Sequence, residues 1–482
     1  MDLEPYQDQT PWINIPEVDI YPWYLRSVKR FAEAELRSWR ERMERKPLII
    51  CGARQVGKTH LCQTFGRAHF EHLAVVNFER DPLLGGLFER ADPRDTVRLL
   101  EAHTRVPILP GKTLLFLDEV QAAPSVLARL RYFAEELPAL HVIAAGSLLD
   151  FTLADHSFSM PVGRISYLHL EPMTFEEFLL ACGEDPLREL LLTLAPGEEV
   201  PAALHQRLLD LLRKYLFCGG MPAAVRAFVE SGSLIEVQRV QQDLLATVRD
   251  DFSKYQRRVN RDRLLKVFAA LPRLVGRKFV AAQIDREEKS GAIKDAFRLL
   301  CLARVATPVW RSAGSGVPLS AQVDDAHFKV CLLDVGLYTA LCGLDATALV
   351  GGGDPVLVNS GQLAEQYVGQ ELRAARPPYQ DPALYYWARE QRTANAEVDY
   401  LLQHGAAVIP IEVKAGTTGQ LRSLHQFVRE KQRSLAVRLD ASPPSLLTTE
   451  VTVPEGAAIP LRLLSLPLYL SGQLPRMLDA LR

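Results

Sequence analysis

One octapeptide of the form G-x-x-x-x-G-K-T limits the possible folds of this chain more than any other feature. It follows the apolar run 48–51 and precedes a stretch with helical spacing. Glycines let backbone N–H groups wrap phosphates at a helix N-terminus, a lysine reaches the outer oxygens, and a threonine hydroxyl binds Mg²⁺. We therefore predict that ATP and Mg²⁺ bind at these residues: Gly52, Ala53, Arg54, Gln55, Val56, Gly57, Lys58 and Thr59.

A pair of acidic residues, Asp118-Glu119, ends another apolar run 60 residues after Lys58. A carboxylate at the carboxyl end of a buried strand can hold the water shell of Mg²⁺, and a neighbouring glutamate can polarise an attacking water. By itself, such a pair is also a common way for a strand to end. Together with the octapeptide, it predicts Asp118 as a metal partner and Glu119 as a catalytic base.

Short, almost wholly apolar runs alternate with helical patterns in the first third of the chain. They cover residues 48–51, 73–76, 114–117 and 141–145. Such runs are typical of strands that are buried on both faces of a parallel sheet. The sequence therefore predicts an α/β core over residues 47–183, preceded at 1–46 by an N-terminal helical segment whose apolar spacing is clearest between 23 and 45.

The middle of the chain changes character twice. Residues 184–250 are rich in leucine with helical spacing, which predicts a helical lid or connector. Residues 251–350 are expected to form helices followed by two extended segments around Gly314-Ser315-Gly316, an order that suits a winged helix. The glycine-rich stretch 351–355 predicts a linker, and a last α/β domain is expected over 351–482.

Positive charge is concentrated between residues 254 and 278. This segment holds nine basic residues and one acid, Asp262, whereas the whole chain carries a net charge of -2. Lys289, Lys294 and Arg298 add charge on the polar side of the next helical stretch. Such a concentration can neutralise DNA phosphates and make binding salt-dependent, so DNA is a predicted partner. A solvated basic helix explains the same residues without DNA.

A second set of charged residues lies near the end of the chain. Two extended runs flank a His404-Gly405 turn and would form a hairpin, with Glu412 and Lys414 on one strand face and Asp399 opposite them. Glu365, in an upstream helical pattern, could add a further carboxylate. Oxygen ligands suit Mg²⁺, and a lysine can orient a metal-bound water or offset charge on a phosphodiester.

We therefore predict Glu365, Asp399 and Glu412 as metal ligands, and Asp399, Glu412 and Lys414 as catalytic groups. A Glu-x-Lys pair on an exposed strand face is often only a solvated ion pair. The apolar residues that alternate with this pair favour the site, and this hairpin resembles the PD-(D/E)XK nuclease core.

The composition is that of a folded chain. It is 48% hydrophobic and 24% charged, close to the globular average, and 482 residues are enough for several domains. No uncharged stretch is long enough for a membrane span, and the N-terminus lacks the pattern of a signal peptide. Seven cysteines without a C-x-x-C pair indicate reduced thiols. We therefore expect a cytoplasmic protein with no membrane partner.

With these motifs placed, the whole chain resembles the widespread prokaryotic AAA+ ATPases that carry a C-terminal PD-(D/E)XK nuclease-like domain. The resemblance covers roughly residues 25–440. Besides the motifs above, it rests on Ala145-Gly146-Ser147, Gly163-Arg164 before Phe175-Glu176-Glu177-Phe178, Gly219-Gly220-Met221-Pro222, Leu333-Asp334-Val335-Gly336-Leu337, Glu397-Val398-Asp399 and Ile411-Glu412-Val413-Lys414. It implies an α/β fold class: a P-loop AAA+ parallel sheet core, a helical or winged-helix middle and a C-terminal restriction-endonuclease-like α/β domain.

The resemblance also implies roles for two further residues. Ser147, at the end of the fourth strand, would sense the γ-phosphate of ATP, or else simply cap that strand. Arg164 would stabilise charge in a neighbouring subunit's reaction, or else be an ordinary arginine in a surface turn. Because that arginine usually comes from a neighbour, a ring-like homo-oligomer is implied.

These observations together predict an ATP-hydrolysing AAA+ protein that acts on DNA and cleaves it with a Mg²⁺-dependent nuclease domain. One alternative is an ATP-driven switch whose nuclease-like domain only docks DNA or protein. Another is a protein remodeller or a regulator in defence or toxin control.

Overall fold

The computed structural model describes most of the chain: residues 29–90, 92–147, 149, 151, 163–255, 259–347, 360–389, 395–416, 421–452 and 458–482. Residues 1–28 of the predicted N-terminal segment and the predicted linker at 351–355 lie outside the described residues. Helix α1 (Ala32–Glu41) buries Leu36 and Trp39 in the core that follows it. None of the helices in the described residues has the length and apolar character that a membrane crossing requires.

The first sheet is built from the predicted apolar runs. Its strands are β1 (Leu48–Cys51), β2 (His72–Asn77), β3 (Thr113–Asp118), β4 (His141–Ala145) and β5 (Ser166–His169), and the helices between them are α2 (Lys58–His69), α3 (Pro93–Thr104) and α4 (Ser125–Glu136). All strand pairs are parallel. Alternate residues of β1 enter different cores, Ile49 on one face and Ile50 on the other. This confirms the predicted parallel α/β core, because such strands are apolar on both faces.

The strand order brings the predicted nucleotide motifs to one edge of this sheet. The order is β2-β3-β4-β1-β5, so β4 lies between β1 and β3. Parallel strands have their carboxyl ends at the same edge, which is where ligands bind in open α/β sheets. The octapeptide after β1, Asp118 at the end of β3 and Ser147 after β4 therefore share that edge.

A run of helices follows and confirms the predicted helical middle. Its members are α5 (Phe175–Ala181), α6 (Asp185–Thr193), α7 (Ala202–Cys218), α8 (Pro222–Ser231) and α9 (Leu234–Asp251). The turn between α7 and α8 requires its glycines. A Cβ at Gly219 would lie 2.2 Å from a carboxylate oxygen of Asp334, and one at Gly220 would lie 2.0 Å from the backbone oxygen of Met173. This turn is therefore packed against two distant parts of the chain.

Three helices and a hairpin come next, in the order that the sequence predicts. They are α10 (Arg261–Leu274), α11 (Ala281–Ile284), α12 (Ser290–Leu302), β6 (Ala306–Ser312) and β7 (Val323–Leu332), and α13 (Val335–Leu341) follows them. β6 and β7 pair antiparallel. The spacing of Ile293, Ala296, Phe297 and Leu300 predicts one buried face of α12, and all four are buried. The identification of this part as a winged helix stays a prediction.

The C-terminal part completes a second, mixed sheet. Its elements are α14 (Ser360–Ala374), β8 (Leu384–Arg389), β9 (Ala396–His404), β10 (Ala407–Val413), α15 (Arg422–Lys431), β11 (Leu435–Asp440), β12 (Ser445–Val451), β13 (Ile459–Pro467) and α16 (Leu474–Asp479). The sheet order is β12-β13-β11-β10-β9-β8-β6-β7. Because β6 pairs with β8, this sheet contains strands from both sides of residue 350. The domain limits given above stay predictions.

A buried arginine joins the first sheet to the second. Arg373, on α14, forms an ion pair at 3.1 Å with Glu171, which lies two residues after β5. Its guanidinium also donates to the backbone oxygens of Leu332, at 3.1 Å, and Leu333, at 2.5 Å. Only 3% of Arg373 is exposed, so its charge depends on these partners rather than on water. One side chain thus fixes α14 to the ATP-motif sheet and to the end of β7.

A second buried polar cluster holds the helical middle in place. The Asp334 carboxylate, at the start of α13, accepts a hydrogen bond from the backbone N–H of Gly220 at 2.6 Å. Gln370, on α14, donates to the Tyr215 hydroxyl at 2.9 Å and accepts from the backbone N–H of Val335 at 2.8 Å. Since buried polar groups require such partners, these contacts specify how α7, α13 and α14 pack together.

Glu371 gives this packing a pH dependence. Its buried carboxyl group accepts a hydrogen bond at 3.0 Å from the backbone N–H of Phe175, the first residue of α5. Burial raises the pKa of Glu371 from 4.5 to about 8. Between these pH values the folded state therefore keeps a proton on Glu371 that the unfolded chain has released. The stability that the protonated Glu371 supplies to the folded state is full below pH 4.5 and is lost as the pH rises through about 8.

We expect Glu371→Gln, which keeps an uncharged acceptor, to raise the melting temperature at about pH 9 by at least about 2 °C and to change it little at about pH 5. Scanning fluorimetry at both pH values measures this difference. Glu450→Gln, at an exposed position on β12, is the matched control and should change neither value. Identical pH dependence of melting in wild type and Glu371→Gln would contradict the prediction.

Candidate nucleotide and carboxylate sites

The octapeptide places Lys58 at the start of α2. Gly57, with a φ of 93°, ends the loop just before this helix. The Lys58 ammonium donates hydrogen bonds to the backbone oxygens of Gly52, at 2.9 Å, and Ala53, at 2.7 Å. Burial lowers the pKa of Lys58 to about 8. Neutral carbonyl groups therefore hold this cation, and the charged oxygens of a phosphate would be stronger partners for it.

Thr59 and Asp118 meet at the edge of the first sheet. The Thr59 hydroxyl lies 3.1 and 3.2 Å from the two carboxylate oxygens of Asp118. Asn77, at the end of β2, donates its side-chain amide to Asp118 at 3.1 Å. Burial raises the pKa of Asp118. A hydroxyl and a carboxylate at this separation, beside Lys58, are the oxygen groups that suit Mg²⁺ bound to a nucleotide, so these residues fit ATP and Mg²⁺.

Glu119 and Ser147 share a hydrogen bond at the same edge. Glu119 has a φ of 53°, which is uncommon for a residue with a side chain. One of its carboxylate oxygens accepts from the side-chain amide of Gln121 and from the Ser147 hydroxyl, the latter at 3.4 Å. The predicted base and the predicted γ-phosphate sensor are therefore in contact, while their roles stay predictions.

The two arginines among the predicted site residues, Arg54 and Arg164, form ion pairs within the chain. Arg54 contacts Asp251, the last residue of α9, at 2.5 Å and lies 3.8 Å from Glu79. Arg164 contacts Glu135, on α4, at 2.8 Å, and about half of its side chain is exposed. Arg54 thus ties the phosphate-binding loop to the helical middle, and Arg164 lies at the surface.

The predicted C-terminal residues come together on the hairpin β9–β10. Asp399 accepts a hydrogen bond from the backbone N–H of Val413 at 2.8 Å, so it lies beside Glu412 and Lys414. The Lys414 ammonium bonds one Glu412 carboxylate oxygen at 2.5 Å. The other Glu412 oxygen is buried and has no hydrogen-bond partner among the described residues. Burial raises the pKa of Glu412.

A lysine from another strand lies among these carboxylates. Lys329, on β7, is only 2% exposed. Its ammonium lies 2.5 Å from Glu397, 3.4 Å from Glu365 and 3.9 Å from Asp399, and it is 5.2 Å from the centre of the Tyr386 ring. Burial alone would lower the pKa of Lys329, but these carboxylates raise it above its ordinary value. Below, Glu365, Glu397, Asp399, Glu412, Lys329 and Lys414 are called the carboxylate centre.

The carboxylate centre does not fit a metal ion in this conformation. Within the part of the chain that the structure describes, no three or more histidine, cysteine, aspartate or glutamate side chains are grouped so that they could hold one. The Lys329 ammonium already contacts three of the carboxylates. The proposed ligands Glu365, Asp399 and Glu412 are therefore neighbours, and their assignment as metal ligands stays a prediction.

The basic segment is partly neutralised by acidic neighbours. Arg263 and Lys266, on α10, form ion pairs with Glu288 and Asp285. Arg257 and Arg258, counted in the predicted DNA surface, lie outside the described residues. Toward the end of the segment Arg273 and Arg277 are exposed. Within the basic segment, Arg273 and Arg277 are therefore the exposed positive charges that we expect DNA to contact.

The end of the basic segment also lies next to the carboxylate centre. Lys278 forms a backbone bridge with Lys329 on β7. Gly276 has a φ of 67°, and a Cβ at that position would lie 2.8 Å from a carboxylate oxygen of Glu365. This turn requires glycine both for its backbone conformation and for its close approach to the glutamate. The segment and the centre are thus in direct contact.

Two basic residues of α12 line a cavity beside the phosphate-binding loop. The cavity has a volume of about 540 Å³, and its walls include Lys294, Arg298, Trp310, Ala53 and Arg373. It therefore connects the predicted DNA-facing side of α12 with a residue of the octapeptide.

Sequence reasoning gave no role to Asn77, Lys329 or Glu397. Each had a signal. Asn77 is a polar residue at the carboxyl end of an apolar run, where the other site residues also lie. Lys329 is a single charge within the apolar run 328–333, and a charge in a buried strand requires a partner. Glu397 lies two residues before Asp399 and so on the same strand face.

The fold and the contacts of Lys58, Thr59 and Asp118 define a P-loop nucleotide-binding domain, and the family comparison specifies its kind. Residues 44–179 match the AAA domain family. The chain therefore carries an AAA-type P-loop ATPase domain. Residues 209–348 and 360–462 match two families described as domains of unknown function, DUF8612 and DUF4143. No curated protein matches this chain.

Solved structures resemble the chain only remotely. A Walker-type ATPase of Pyrococcus abyssi has 16% identity and a TM-score of 0.42, with 64% of this chain and 95% of that chain covered. The Aeropyrum pernix ORC2 protein has 13% identity and a TM-score of 0.33, with 66% and 94% covered. The Aeropyrum pernix ORC1 protein in complex with DNA has 15% identity and a TM-score of 0.30, with 68% and 97% covered. At these scores the likenesses carry no argument about function.

Proposed function

We propose that the chain hydrolyses ATP and uses this reaction to act on DNA. The observation that carries the hydrolysis part is the contact between Thr59 and Asp118 beside the buried Lys58. Lys58 can exchange its two carbonyl partners for phosphate oxygens, because hydrogen bonds to charged acceptors are the stronger ones. Mg²⁺, held by Thr59 and Asp118, would neutralise charge on the β- and γ-phosphates.

Glu119 is proposed as the group that orients the attacking water and accepts its proton. Its carboxylate is held at the edge of the sheet by hydrogen bonds from Gln121 and Ser147. A general base must be fixed within hydrogen-bond reach of the proton that it takes. The Ser147 hydroxyl bonds to the same Glu119 oxygen as Gln121 does. If this hydroxyl turned to bond a phosphate instead, Glu119 would lose one of the contacts that hold it and would change position.

Arg54 is proposed to couple the nucleotide to the DNA-binding region. It bonds to Asp251, and the basic segment begins three residues later at Lys254. A phosphate bound in the octapeptide would compete with Asp251 for this guanidinium, since both are anions. Loss of the Arg54–Asp251 contact would remove one connection between the phosphate-binding loop and the end of α9, three residues before the basic segment begins.

DNA is proposed as the partner because positive charge is concentrated beside the ATPase core. The net charge of residues 254–278 is +8, from nine basic residues and Asp262. Lys294 and Arg298 line the cavity that reaches Ala53. Lysine and arginine side chains that neutralise DNA phosphates supply most of the sequence-independent binding energy. A DNA strand along α12 would therefore lie close to the phosphate-binding loop.

The ATPase part is tested by two substitutions. Lys58→Ala should abolish nucleotide binding and turnover, whereas Glu119→Gln should keep binding and lower kcat by about 10²- to 10⁴-fold, because it removes only the base. Phosphate release and fluorescent nucleotide binding measure the two effects. Lys112→Ala, at an exposed lysine paired with Glu71, is the control and should behave as wild type. Turnover that survives Lys58→Ala would overturn the proposal.

The DNA part is tested by charge reversal. Replacing Arg273 and Arg277 together by glutamate should weaken duplex DNA binding and reduce its salt dependence, because fewer phosphates are neutralised. Fluorescence anisotropy over a salt series measures both quantities, and phosphate release shows whether DNA stimulates turnover. Arg67→Glu, at an exposed site on α2, is the control. Equal DNA affinity in the double variant and the control would exclude this surface.

Cleavage of DNA by the carboxylate centre is a second candidate function. The observation that favours it is the grouping of Asp399 and Glu412 on paired strands with Lys414 just after the end of β10, so that a carboxylate and an ammonium lie side by side. The Lys414 ammonium could offset negative charge on a phosphodiester during cleavage. The Lys329 ammonium at the same centre favours the other interpretation, a C-terminal region that docks DNA or protein without cutting.

One comparison separates cleavage from docking. Single-stranded, duplex and flapped DNA are incubated with the full chain and Mg²⁺, with and without ATP. If the centre cuts DNA, Asp399→Ala should remove cleavage, because it removes a carboxylate of the centre, whereas the exposed control Glu450→Ala should not. Cleavage that survives Asp399→Ala would refute the assignment, and ATP turnover without cleavage would favour docking.

We further propose a cytoplasmic protein that assembles as a ring-like homo-oligomer. No disulfide bond is present among the described cysteines, which suits a reducing compartment. Arg164, about half exposed, is accessible to a neighbouring subunit. Its charge could act on ATP bound there, as arginine fingers do in phosphoryl transfer.

A further inference from the structure

Lys329 is an unusual residue for its place in the fold. β7 is buried on either side of it, at Phe328 and Val330, and the lysine itself is 2% exposed. A buried charge without a partner is strongly destabilising, so a lysine is stable there only if anions surround it. The carboxylates of Glu365 and Glu397 supply that environment from α14 and β9.

The charges of the carboxylate centre divide into two groups. Glu412 bonds to Lys414 on the same strand end. Glu365, Glu397 and Asp399 have Lys329 as their shared cation, with all three contacts within 3.9 Å. Without Lys329, these three carboxylates, of which Glu365 and Asp399 are largely buried and Glu397 is partly exposed, would lose the cation that they share, an arrangement that repels unless a proton or another cation enters.

We propose that Lys329 is the resident cation of the carboxylate centre and that it excludes a divalent metal ion from the centre in this conformation. The inference rests on the proposed C-terminal centre, but it concerns ion occupancy and does not require that DNA be cut. It also explains why neighbouring carboxylates do not form a metal site here. A divalent ion would enter only after β7 has withdrawn the ammonium.

The structure also indicates which class of partner could withdraw it. Lys329 is bridged through its backbone to Lys278, at the end of the basic segment. The adjoining Gly276 packs against the Glu365 carboxylate. A polyanion that attracts this segment would therefore pull on the strand that carries Lys329 and on the turn that covers Glu365. DNA is the polyanion that the proposed function supplies.

The test measures Mn²⁺ binding to the full, nucleotide-free chain by electron paramagnetic resonance. Lys329→Met keeps the length and removes the charge, so Mn²⁺ affinity should rise by at least about tenfold relative to wild type. The added Asp399→Asn substitution should abolish the gain. Lys329→Arg is the matched control, because it keeps a cation in place and should bind Mn²⁺ no better than wild type. Mn²⁺ at the ATPase site is recognised by its loss in Asp118→Asn.

Melting temperatures provide a second readout. With the ATPase site removed by Asp118→Asn in every chain, Mn²⁺ should stabilise Lys329→Met but not the chain with Lys329 or with Lys329→Arg, because a ligand stabilises only the fold that binds it. The inference would be overturned if wild type bound Mn²⁺ at a site that Asp399→Asn removes. This comparison uses only chains that keep Lys329, so it does not depend on how any Lys329 variant folds. A folded Lys329→Met, with normal nucleotide binding but no gain in Mn²⁺ affinity, would also overturn it. Because no DNA is present, an absence of cleavage leaves these outcomes unchanged.

Discussion

The buried ion pair of Arg373 with Glu171 is the contact on which the arrangement of the two sheets depends. Arg373 is 3% exposed, so loss of Glu171 with the packing intact would leave its charge held only by neutral oxygens, among them the carbonyls of Leu332 and Leu333. Removing one partner of such a buried pair while the other stays buried costs about 3–5 kcal/mol, a large share of the stability of a domain. The ATPase core and the C-terminal sheet must therefore move together, or exchange this contact for another of similar strength.

Helix α14 extends this constraint from one centre to the other. The backbone N–H of Leu170 donates to Cys51 at 2.8 Å, so the residue before Glu171 is bonded to the strand that ends at the phosphate-binding loop. The same helix that carries Arg373 carries Glu365, eight residues earlier and about 12 Å along its axis. A shift of the phosphate-binding loop could therefore be transmitted through packed residues to the carboxylate centre. For this path to act as a switch, one element on it would need two alternative arrangements.

Residues that are close in sequence, or joined by a short turn, were predictable. The octapeptide specified Lys58 and Thr59, and the His404-Gly405 turn fixed Asp399 beside Glu412 because a hairpin sets its own register. Contacts between distant segments were not predictable in this way. Nothing in local spacing indicates that Lys329 meets Glu397, since that contact depends on how β7, α14 and β9 pack. The apolar run around Lys329 predicts only that some anion must be near.

The two buried lysines differ in what holds them, and this difference separates the two centres chemically. Lys58 bonds to neutral carbonyl oxygens, and burial lowers its pKa to about 8, so its charge is poorly compensated before a nucleotide binds. Phosphate improves that environment, which favours exchange. Lys329 bonds to carboxylates, and its pKa is raised. Its removal would leave those anions repelling one another, so the first lysine is poised to accept a ligand and the second to resist one.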